Sequence, residues 1–297
     1  MKESVLQFGP AKALVGILTE PAPGLAARPA VILFNAGLTH RVGPSRLYVK
    51  LARHLAAQGF TVLRFDLSGV GDSAPRADHL PFEKSSMADA RAAMDCLQQT
   101  RGLATFVVMG HCSGAINSFL VAAEEPRVVA AVLINLEGGN AEWTAYDRDR
   151  KFSRYYSQYY RHIVADPQRW RRFFTGQVAY GKVLSNLLRG VIWNRLRTWL
   201  FGWRAQTAAA PAAAPPAVVE ARANLQRIVD RGIRVLLVHS EGSTGLEYVR
   251  ATLGETLAAQ LAANRVQLEI IPHADHLFTL TRSQADLLAA IGRWVTA

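Results

Sequence analysis

The sequence predicts an α/β protein with a mostly parallel central sheet and helices on both of its faces. Short continuous apolar runs, such as AVILFN at 30–35, are typical of strands that are buried on both faces. Patterns with helical apolar spacing separate these runs along most of the chain. Half of the 297 residues are hydrophobic and only 19% are charged, so the chain can bury a large core.

The predicted elements follow one another in a regular order. Two short strands at 4–8 and 13–19 form an antiparallel entry pair, a buried strand follows at 30–35, and a helix at 44–58 ends before Gly59. Further strands are predicted at 61–66, 105–109, 128–135, 233–239 and 265–271. Further helices are predicted at 84–100, 113–123, 217–231, 244–262 and 281–295. In such repeated strand–helix units the chemistry lies at the carboxyl ends of the strands, so the loops there hold the candidate functional residues.

The positive charge is concentrated in one segment. The whole chain carries a net charge of +11, and residues 148–204 alone account for it, with thirteen Lys and Arg, two acids and thirteen aromatic residues. We therefore predict that residues 1–138 and 218–297 form the α/β core. Residues 139–217 are predicted to form a basic, aromatic, helical cap that closes with an Ala/Pro-rich linker.

The basic cap indicates an anionic partner. An acidic acyl carrier protein or the phosphates of CoA would fit this charge, and the amphipathic stretch 183–203 would suit contact with an anionic membrane surface. Nucleic acid is a weaker alternative, because no nucleic-acid-binding motif accompanies the charge. A self-packed cap whose arginines are only solvated is a further alternative.

Cysteine usage and hydropathy favour the cytoplasm. The chain has two cysteines, Cys96 and Cys112, and no C-x-x-C motif, so we expect neither a disulfide framework nor a zinc ribbon. The first ten residues lack an apolar signal core, and no stretch of 18 apolar residues occurs. We expect a cytoplasmic protein with reduced thiols, without a cofactor or a metal ion.

One cysteine stands at the junction of a predicted strand and a predicted helix. Residues 110–115 read GHCSGA, with a glycine two residues before and two residues after Cys112. A sharp strand-to-helix turn strains its central residue and crowds the positions two residues away, so both must be small. Ser113 does not fit the centre of this turn, because the bulky His111 would then occupy one of those positions. The turn would expose the Cys112 side chain at a helix N-terminus, which stabilises a thiolate and a developing oxyanion.

This pattern resembles the G-x-nucleophile-x-G motif of the α/β-hydrolase superfamily, with Cys in place of the commoner Ser, as in dienelactone hydrolases and some thioesterases. FDLSGVGDS at 65–73 is similar to the glycine-rich loop after the fourth strand of these enzymes, and residues 34–60 are similar to their oxyanion strand, loop and first helix. More narrowly, NAG-x-x-HRVGP together with G-x-CSGA resembles bacterial hydrolases that are associated with exosortase and natural-product gene clusters. The resemblance covers the predicted core and implies an α/β-hydrolase fold with a helical cap insertion.

The resemblance also implies a base and an acid. The catalytic histidine of the family lies in the loop after the last strand, where His276 matches best and His273 is the alternative. Relatives commonly have an aspartate acid where Ser243 stands here. Glu241 is the nearest carboxylate and is our first prediction for the acid, and Glu137 is the alternative.

The oxyanion hole of such an enzyme consists of two backbone N–H groups. One is expected from Ser113, the residue after the nucleophile, and the other from Leu38, in the loop after the strand at 30–35. Asp66 and its neighbouring glycines are expected to brace the next loop rather than to take part in the chemistry.

These residues together predict an acyl-transfer enzyme that forms an acyl-Cys112 intermediate with a Cys-His-acid triad. Transfer of an acyl group from a thioester to a thiol is nearly isoenergetic, which favours a thioesterase or an acyltransferase acting on a carrier- or CoA-bound acyl group. A hydrolase of small esters or lactones, of the dienelactone hydrolase type, is one alternative. A non-catalytic binding protein with the hydrolase fold is the other.

Overall fold

The computed structural model describes residues 1–25, 28–78, 80–137, 214–241 and 243–297. The strands in these ranges are β1 (Lys2–Phe8), β2 (Leu14–Glu20), β3 (Ala30–Phe34), β4 (Val62–Phe65), β5 (Phe106–His111), β6 (Val128–Ile134), β7 (Arg234–Ser240) and β8 (Val266–Ile271). The α-helices are α1 (Leu47–Ala57), α2 (Phe82–Arg101), α3 (Ser113–Glu124), α4 (Pro216–Asp230), α5 (Thr244–Ala262) and α6 (Thr281–Thr296).

The described strands form one eight-stranded sheet in the order β1-β2-β4-β3-β5-β6-β7-β8. β1 pairs with β2, and β2 with β4, in antiparallel register, and all other neighbours are parallel. The predicted antiparallel entry pair and the predicted parallel sheet are therefore both confirmed. The six parallel strands all end at one edge of the sheet, where the loops after them meet.

Helices cover both faces of the sheet, and the strands bury side chains on each. In β3, Ile32 and Phe34 belong to one core cluster, with side chains of α2, α3, α4 and α5. Val31 and Leu33 belong to the other cluster, with side chains of α1 and α6. Every residue of β3 is buried, which explains why its sequence is a continuous apolar run instead of an alternating one.

The helix predicted at 44–58 begins later than expected. Residues Pro44–Arg46 form a 3₁₀ turn, in which Ser45 (φ 49°) and Arg46 (φ 61°) have left-handed backbone conformations. The Tyr48 N–H donates to the carbonyl oxygen of Val42 (3.1 Å), so the chain turns before it enters α1 at Leu47. A proline at the first helical position is a common start signal, and here it starts the short turn instead.

The predicted cap at 139–217 lies almost entirely outside the described residues, which resume at 214. Its helices, its linker and its charge therefore remain predictions. Within the described part of the chain, no helix has both the length and the apolar character needed to cross a membrane.

Candidate active site

The junction between β5 and α3 forms a sharp elbow with Cys112 at its apex. Cys112 has φ 56° and ψ −117°, a conformation that is strained for a residue with a side chain. Its N–H donates to the carbonyl oxygen of Ile134 (2.9 Å), which ties the elbow to the end of β6. Cys112 is half-buried and is the N-cap residue of α3, so its sulfur lies beside the positive end of the helix dipole.

The two glycines that flank the elbow are required by backbone contacts. A Cβ atom added at Gly110 would lie 2.2 Å from the carbonyl carbon and oxygen of Gly114. A Cβ added at Gly114 would lie 2.5 Å from the carbonyl oxygen of Phe34 and 2.6 Å from that of Asn35. These neighbours are backbone atoms and cannot rotate away. The requirement for small residues two positions before and after Cys112 therefore follows from the close packing of β3, β5 and α3.

The loop after β8 brings His276 to the sulfur. The Cys112 sulfur, a ring nitrogen of His276 and a carboxylate oxygen of Glu137 all lie within 4.8 Å of one another. The hydrogen bond with Cys112 and the hydrogen bond with Glu137 outweigh the effect of burial and raise the pKa of His276 to about 10. At neutral pH the ring therefore carries a positive charge, and a cation beside a cysteine favours the thiolate, which is the nucleophilic form.

Glu137 is the carboxylate that contacts His276. Its Oε1 lies 3.4 Å from His276 Nδ1, and both side chains are about one-third exposed. Glu137 follows the end of β6, next to the first turn of α5. A Cβ at Gly245 would lie 2.5 Å from Glu137 Cγ, so the glycine at this position leaves the space in which the glutamate lies.

Glu241, our first prediction for the acid, does not lie beside His276. Its carboxylate accepts a hydrogen bond from the His273 N–H (2.7 Å) and lies 3.5 Å from His273 Nδ1, in an exposed pair. The reason is the sheet register: the Glu241 N–H donates to the carbonyl oxygen of Ile271 (2.9 Å), which holds Glu241 beside the end of β8, five residues before His276. The structure therefore brings together Cys112, His276 and the alternative acid Glu137.

The loop after β3 approaches the elbow through Gly37. Residues Ala36 to Thr39 form a tight turn, in which the Thr39 N–H donates to Ala36 O (3.0 Å). The N–H of Gly37 donates to the side-chain oxygen of Ser113 (2.7 Å), and the Leu38 side chain is 89% exposed. The Gly37 N–H is thus bonded to a side chain of the elbow, and the Leu38 N–H, which we predict as the second oxyanion donor, belongs to the next residue of the same turn. The backbone of Ser113 begins α3 directly after Cys112, where the prediction places the first donor.

Asp66 braces the loops beside this turn. Its fully buried carboxylate accepts hydrogen bonds from the Arg41 N–H (2.6 Å), the Asp72 N–H (3.1 Å) and the Asn35 side-chain amide (3.3 Å), and it pairs with the Arg41 guanidinium. A Cβ at Gly71 would lie 2.4 Å from this carboxylate, so the glycine is part of the same arrangement. The structure confirms the expected bracing role of Asp66.

The donor atoms of Cys112, Glu137 and His276 are also close enough to one another to share a metal ion. The sharp strand-to-helix elbow also fits the position that we predict for a nucleophile. A cleft of about 350 Å³ opens beside Glu137 and His276 and reaches Glu241. Glu137 and His276 both line this cleft, so solvent reaches the pair that they form.

Two residues at the site were not predicted as functional. In the sequence His111 matters only for its size and Asn135 only as the end of a predicted strand, yet both donate to the backbone carbonyl of His276. His111 ends a parallel strand and Asn135 follows one. The rule that functional residues lie at the carboxyl edge of a parallel sheet could therefore have identified both as candidates.

Comparison with known proteins agrees with the fold described above. A model of the alpha/beta hydrolase fold matches residues 29–282, which is most of the chain. The chain belongs to the α/β-hydrolase fold family. No match to it was found among curated proteins.

Solved structures of α/β-hydrolase proteins share this fold at low sequence identity. Proline iminopeptidase from Mycobacterium smegmatis is 14% identical, with a TM-score of 0.56, and the match covers 99% of this chain and 98% of that one. Dienelactone hydrolase from Anabaena variabilis is 14% identical, with a TM-score of 0.54 and coverage of 99% and 97%. A serine hydrolase homologue from Coxiella burnetii is 14% identical, with a TM-score of 0.51 and coverage of 98% and 96%. At these identities the similarity shows the fold and leaves the substrate of this α/β-hydrolase open.

Proposed function

We propose that this protein is an acyl-transfer enzyme that forms an acyl-Cys112 intermediate and acts on acyl thioesters, as a thioesterase or an acyltransferase. The observation that carries the proposal is the position of the Cys112 sulfur at a strained elbow, within 4.8 Å of a His276 ring nitrogen and a Glu137 oxygen. This is the arrangement of a nucleophile, a base and an orienting acid.

In the first half-reaction the Cys112 thiolate attacks the carbonyl carbon of the substrate and a new C–S bond forms. Charge develops on the carbonyl oxygen, and the backbone N–H groups of Ser113 and of the Gly37–Leu38 turn are the proposed donors to it. The bond to the leaving group then breaks, and the imidazolium of His276 gives its proton to the leaving sulfur or oxygen.

In the second half-reaction the acceptor enters where the leaving group was. Water, an alcohol or an amine attacks the acyl carbon while its proton passes to His276, and Cys112 leaves as the thiolate. Glu137 keeps the ring oriented and stabilises its positive charge throughout. Every proton and electron pair is therefore returned, and the enzyme ends in its starting form.

The choice of a thioester donor depends on chemistry and on charge. A thiol exchanges acyl groups with a thioester at little cost in free energy, so Cys112 can be loaded reversibly from a thioester. The basic segment at 148–204 lies outside the described residues, and its charge supports docking of an acidic acyl carrier protein or of CoA phosphates. Contact of this segment with an anionic membrane surface is a second proposal for the same charge.

Intact-protein mass spectrometry with a panel of acyl-CoA and acyl-N-acetylcysteamine thioesters tests the proposal. We expect the wild-type protein to gain one acyl mass and Cys112→Ala to gain none. Cys112→Ser should label far more slowly, because an alcohol has a much higher pKa than a thiol. Addition of EDTA should leave labelling unchanged, which distinguishes a triad from a metal centre built on the same three side chains.

Other outcomes of this experiment point to other functions. Labelling by free small esters or lactones, with none by thioesters, would replace the proposal with an ester or lactone hydrolase. Equal labelling of wild type and Cys112→Ala, or no labelling by any donor, would end the acyl-enzyme hypothesis and favour a non-catalytic binding protein.

A further inference from the structure

Two buried side chains donate to a single backbone carbonyl, that of His276. The His111 Nε2 atom lies 2.6 Å from this oxygen, and the side-chain nitrogen of Asn135 lies 2.8 Å from it. His111 is 1% exposed and Asn135 is fully buried. His111 ends β5 and Asn135 follows the end of the neighbouring strand β6, so both contact the loop after β8 from the carboxyl edge of the sheet.

The contact fixes the hydrogen position on His111. A carbonyl oxygen only accepts hydrogen bonds, so Nε2 must carry the hydrogen. Nδ1 then holds a lone pair, and it is buried without a partner among the described residues. Burial lowers the pKa of His111 to about 4, so the ring is neutral where His276 is positively charged. The two ring centroids are 4.8 Å apart, and a second positive charge at that distance would repel the His276 imidazolium.

His111 is itself held in place from below. Its backbone N–H donates to the hydroxyl of Tyr48 (2.9 Å), and that hydroxyl donates to the carbonyl oxygen of Phe34 (2.7 Å). Tyr48 is fully buried in α1. A chain of hydrogen bonds therefore joins the end of β3, the helix α1, the residue before the nucleophile and the loop that carries the base.

Asn135 is held just as firmly. Its backbone has a left-handed conformation (φ 47°), and its N–H donates to Val238 O (2.7 Å) in β7. Its side-chain oxygen accepts from the Ser240 N–H (2.8 Å), which leaves the amide nitrogen directed at His276. Both donors are therefore held by contacts that lie outside the loop after β8.

We infer that His111 is a positioning residue that, with Asn135, holds the His276 carbonyl and thereby sets the His276 ring against the Cys112 sulfur. This inference rests on the proposed function, since it assigns His276 as the partner of the nucleophile. The loop needs such a contact, because His273 (φ 53°) and Phe278 (φ 51°) on either side of His276 have left-handed backbones that turn the chain sharply. His111 directly precedes Cys112 in the chain, so the residue that holds the His276 carbonyl is covalently bonded to the nucleophile.

Alkylation of Cys112 by iodoacetamide at pH 5 to 9 tests the inference without any acyl substrate. The wild-type protein should react already at acidic pH, because a neighbouring imidazolium favours the thiolate, and His276→Gln should react only at alkaline pH, as a thiol without such a neighbour does. His111→Phe keeps a ring that packs in the same space but has no N–H. We expect it to lose at least about tenfold in alkylation rate at pH 6, because each unit of pKa corresponds to a tenfold change.

The conservative variant His111→Gln is the matched control. Its amide can place an N–H near the position of Nε2, so its alkylation profile should stay within about threefold of the wild type. Thermal unfolding of each variant separates positioning from loss of fold. If His111→Phe does not fold, His111→Asn replaces it, because its shorter amide falls short of the carbonyl, and the same loss is expected.

Three results would overturn the inference. A folded His111→Phe variant with the wild-type alkylation profile would show that the contact of His111 with the His276 carbonyl does not position the His276 ring. Unfolding of both the Phe and Asn variants would assign His111 to stability alone. A wild-type alkylation profile equal to that of His276→Gln would show that His276 does not act on the Cys112 thiol, and the inference would lose its basis. Failure of acyl labelling with an acidic wild-type alkylation profile would instead overturn only the proposed function.

Discussion

The sulfur of Cys112 and the ring of His276 depend on each other. A serine hydroxyl needs a neutral histidine to remove its proton during attack, whereas a cysteine can give up its proton before the substrate arrives. The pKa of His276, raised to about 10 by Cys112 and Glu137, describes a ring that keeps this proton at neutral pH. In the proposed reaction the same ring then serves as the general acid.

Glu137 should matter to the chemistry and Glu241 should not. Glu137→Gln removes one of the two interactions that raise the pKa of His276, so the imidazolium should lose its proton at lower pH. The alkaline limb of the acylation pH–rate profile should then shift to lower pH by about one unit or more. The rate near neutral pH should fall roughly tenfold for a separate reason, because Glu137 no longer orients the ring.

Glu241→Gln is the control for this prediction, because the Glu241 carboxylate contacts His273 and not His276. Its rate should stay within about twofold of the wild type, as expected for a change away from the reacting atoms. Equal shifts of the alkaline limb in both variants, measured by stopped-flow acylation, would contradict the assignment of the acid to Glu137.

The acid shows what sequence could and could not specify at this scale. Both glutamates follow parallel strands, and Glu241 is the first candidate only because it lies nearest to the position of the acid in relatives. Which glutamate lies beside His276 depends on the length of the loop after β8. It also depends on the contacts of His111 and Asn135, which hold His276 at the ends of β5 and β6. Those contacts join residues more than 140 positions apart in the chain, so no local pattern records them.

At the scale of elements, the elbow was the most predictable feature. The glycines around Cys112, between an apolar run and a helical pattern, indicate a local backbone constraint. The structure explains it, because a Cβ atom at either glycine would lie 2.2 to 2.6 Å from backbone atoms. The strand positions were predictable for a related reason, because strands buried on both faces are apolar throughout. The start of α1 was not, since left-handed conformations at Ser45 and Arg46 have no strong sequence signal.

Gly110→Ala should therefore destabilise the whole core and not only the site. The added methyl group would meet the backbone of Gly114, so β5 and α3 must separate, and we expect a loss of more than about 3 kcal/mol in the free energy of unfolding. Urea denaturation measures this loss.

Gly102→Ala is the matched control for the elbow. Gly102 ends α2 with φ 68°, and a Cβ there meets no atom within 4 Å. Only the cost of a left-handed alanine applies, about 1–2 kcal/mol. If the two variants unfolded at the same urea concentration, the close packing of the elbow would not be the reason for its glycines.

At the scale of the whole molecule, two buried histidines connect the stability of the fold to pH. His111 lies under the active site, and His239 is fully buried in β7 with neither ring nitrogen partnered within the described residues. Burial lowers the pKa of each to about 4, although Glu137 nearby acts in the opposite direction on both. Both rings are therefore neutral in the folded protein and take up protons on unfolding below pH 6.5.

The fold should consequently lose stability in mild acid. The stabilisation from each depressed pKa is complete above about pH 6.5 and is lost as the pH falls towards 4, because the unfolded chain then binds the extra protons. Between pH 6.5 and 5 each histidine should cost about 2 kcal/mol of unfolding free energy. In urea denaturation, His239→Gln should therefore lose about half of this acid-dependent decrease, whereas the exposed His40→Gln should retain all of it. An unfolding free energy that is the same at pH 7 and pH 5 in the wild-type protein would mean that water or protein partners already satisfy these rings, and that they are not held neutral by burial.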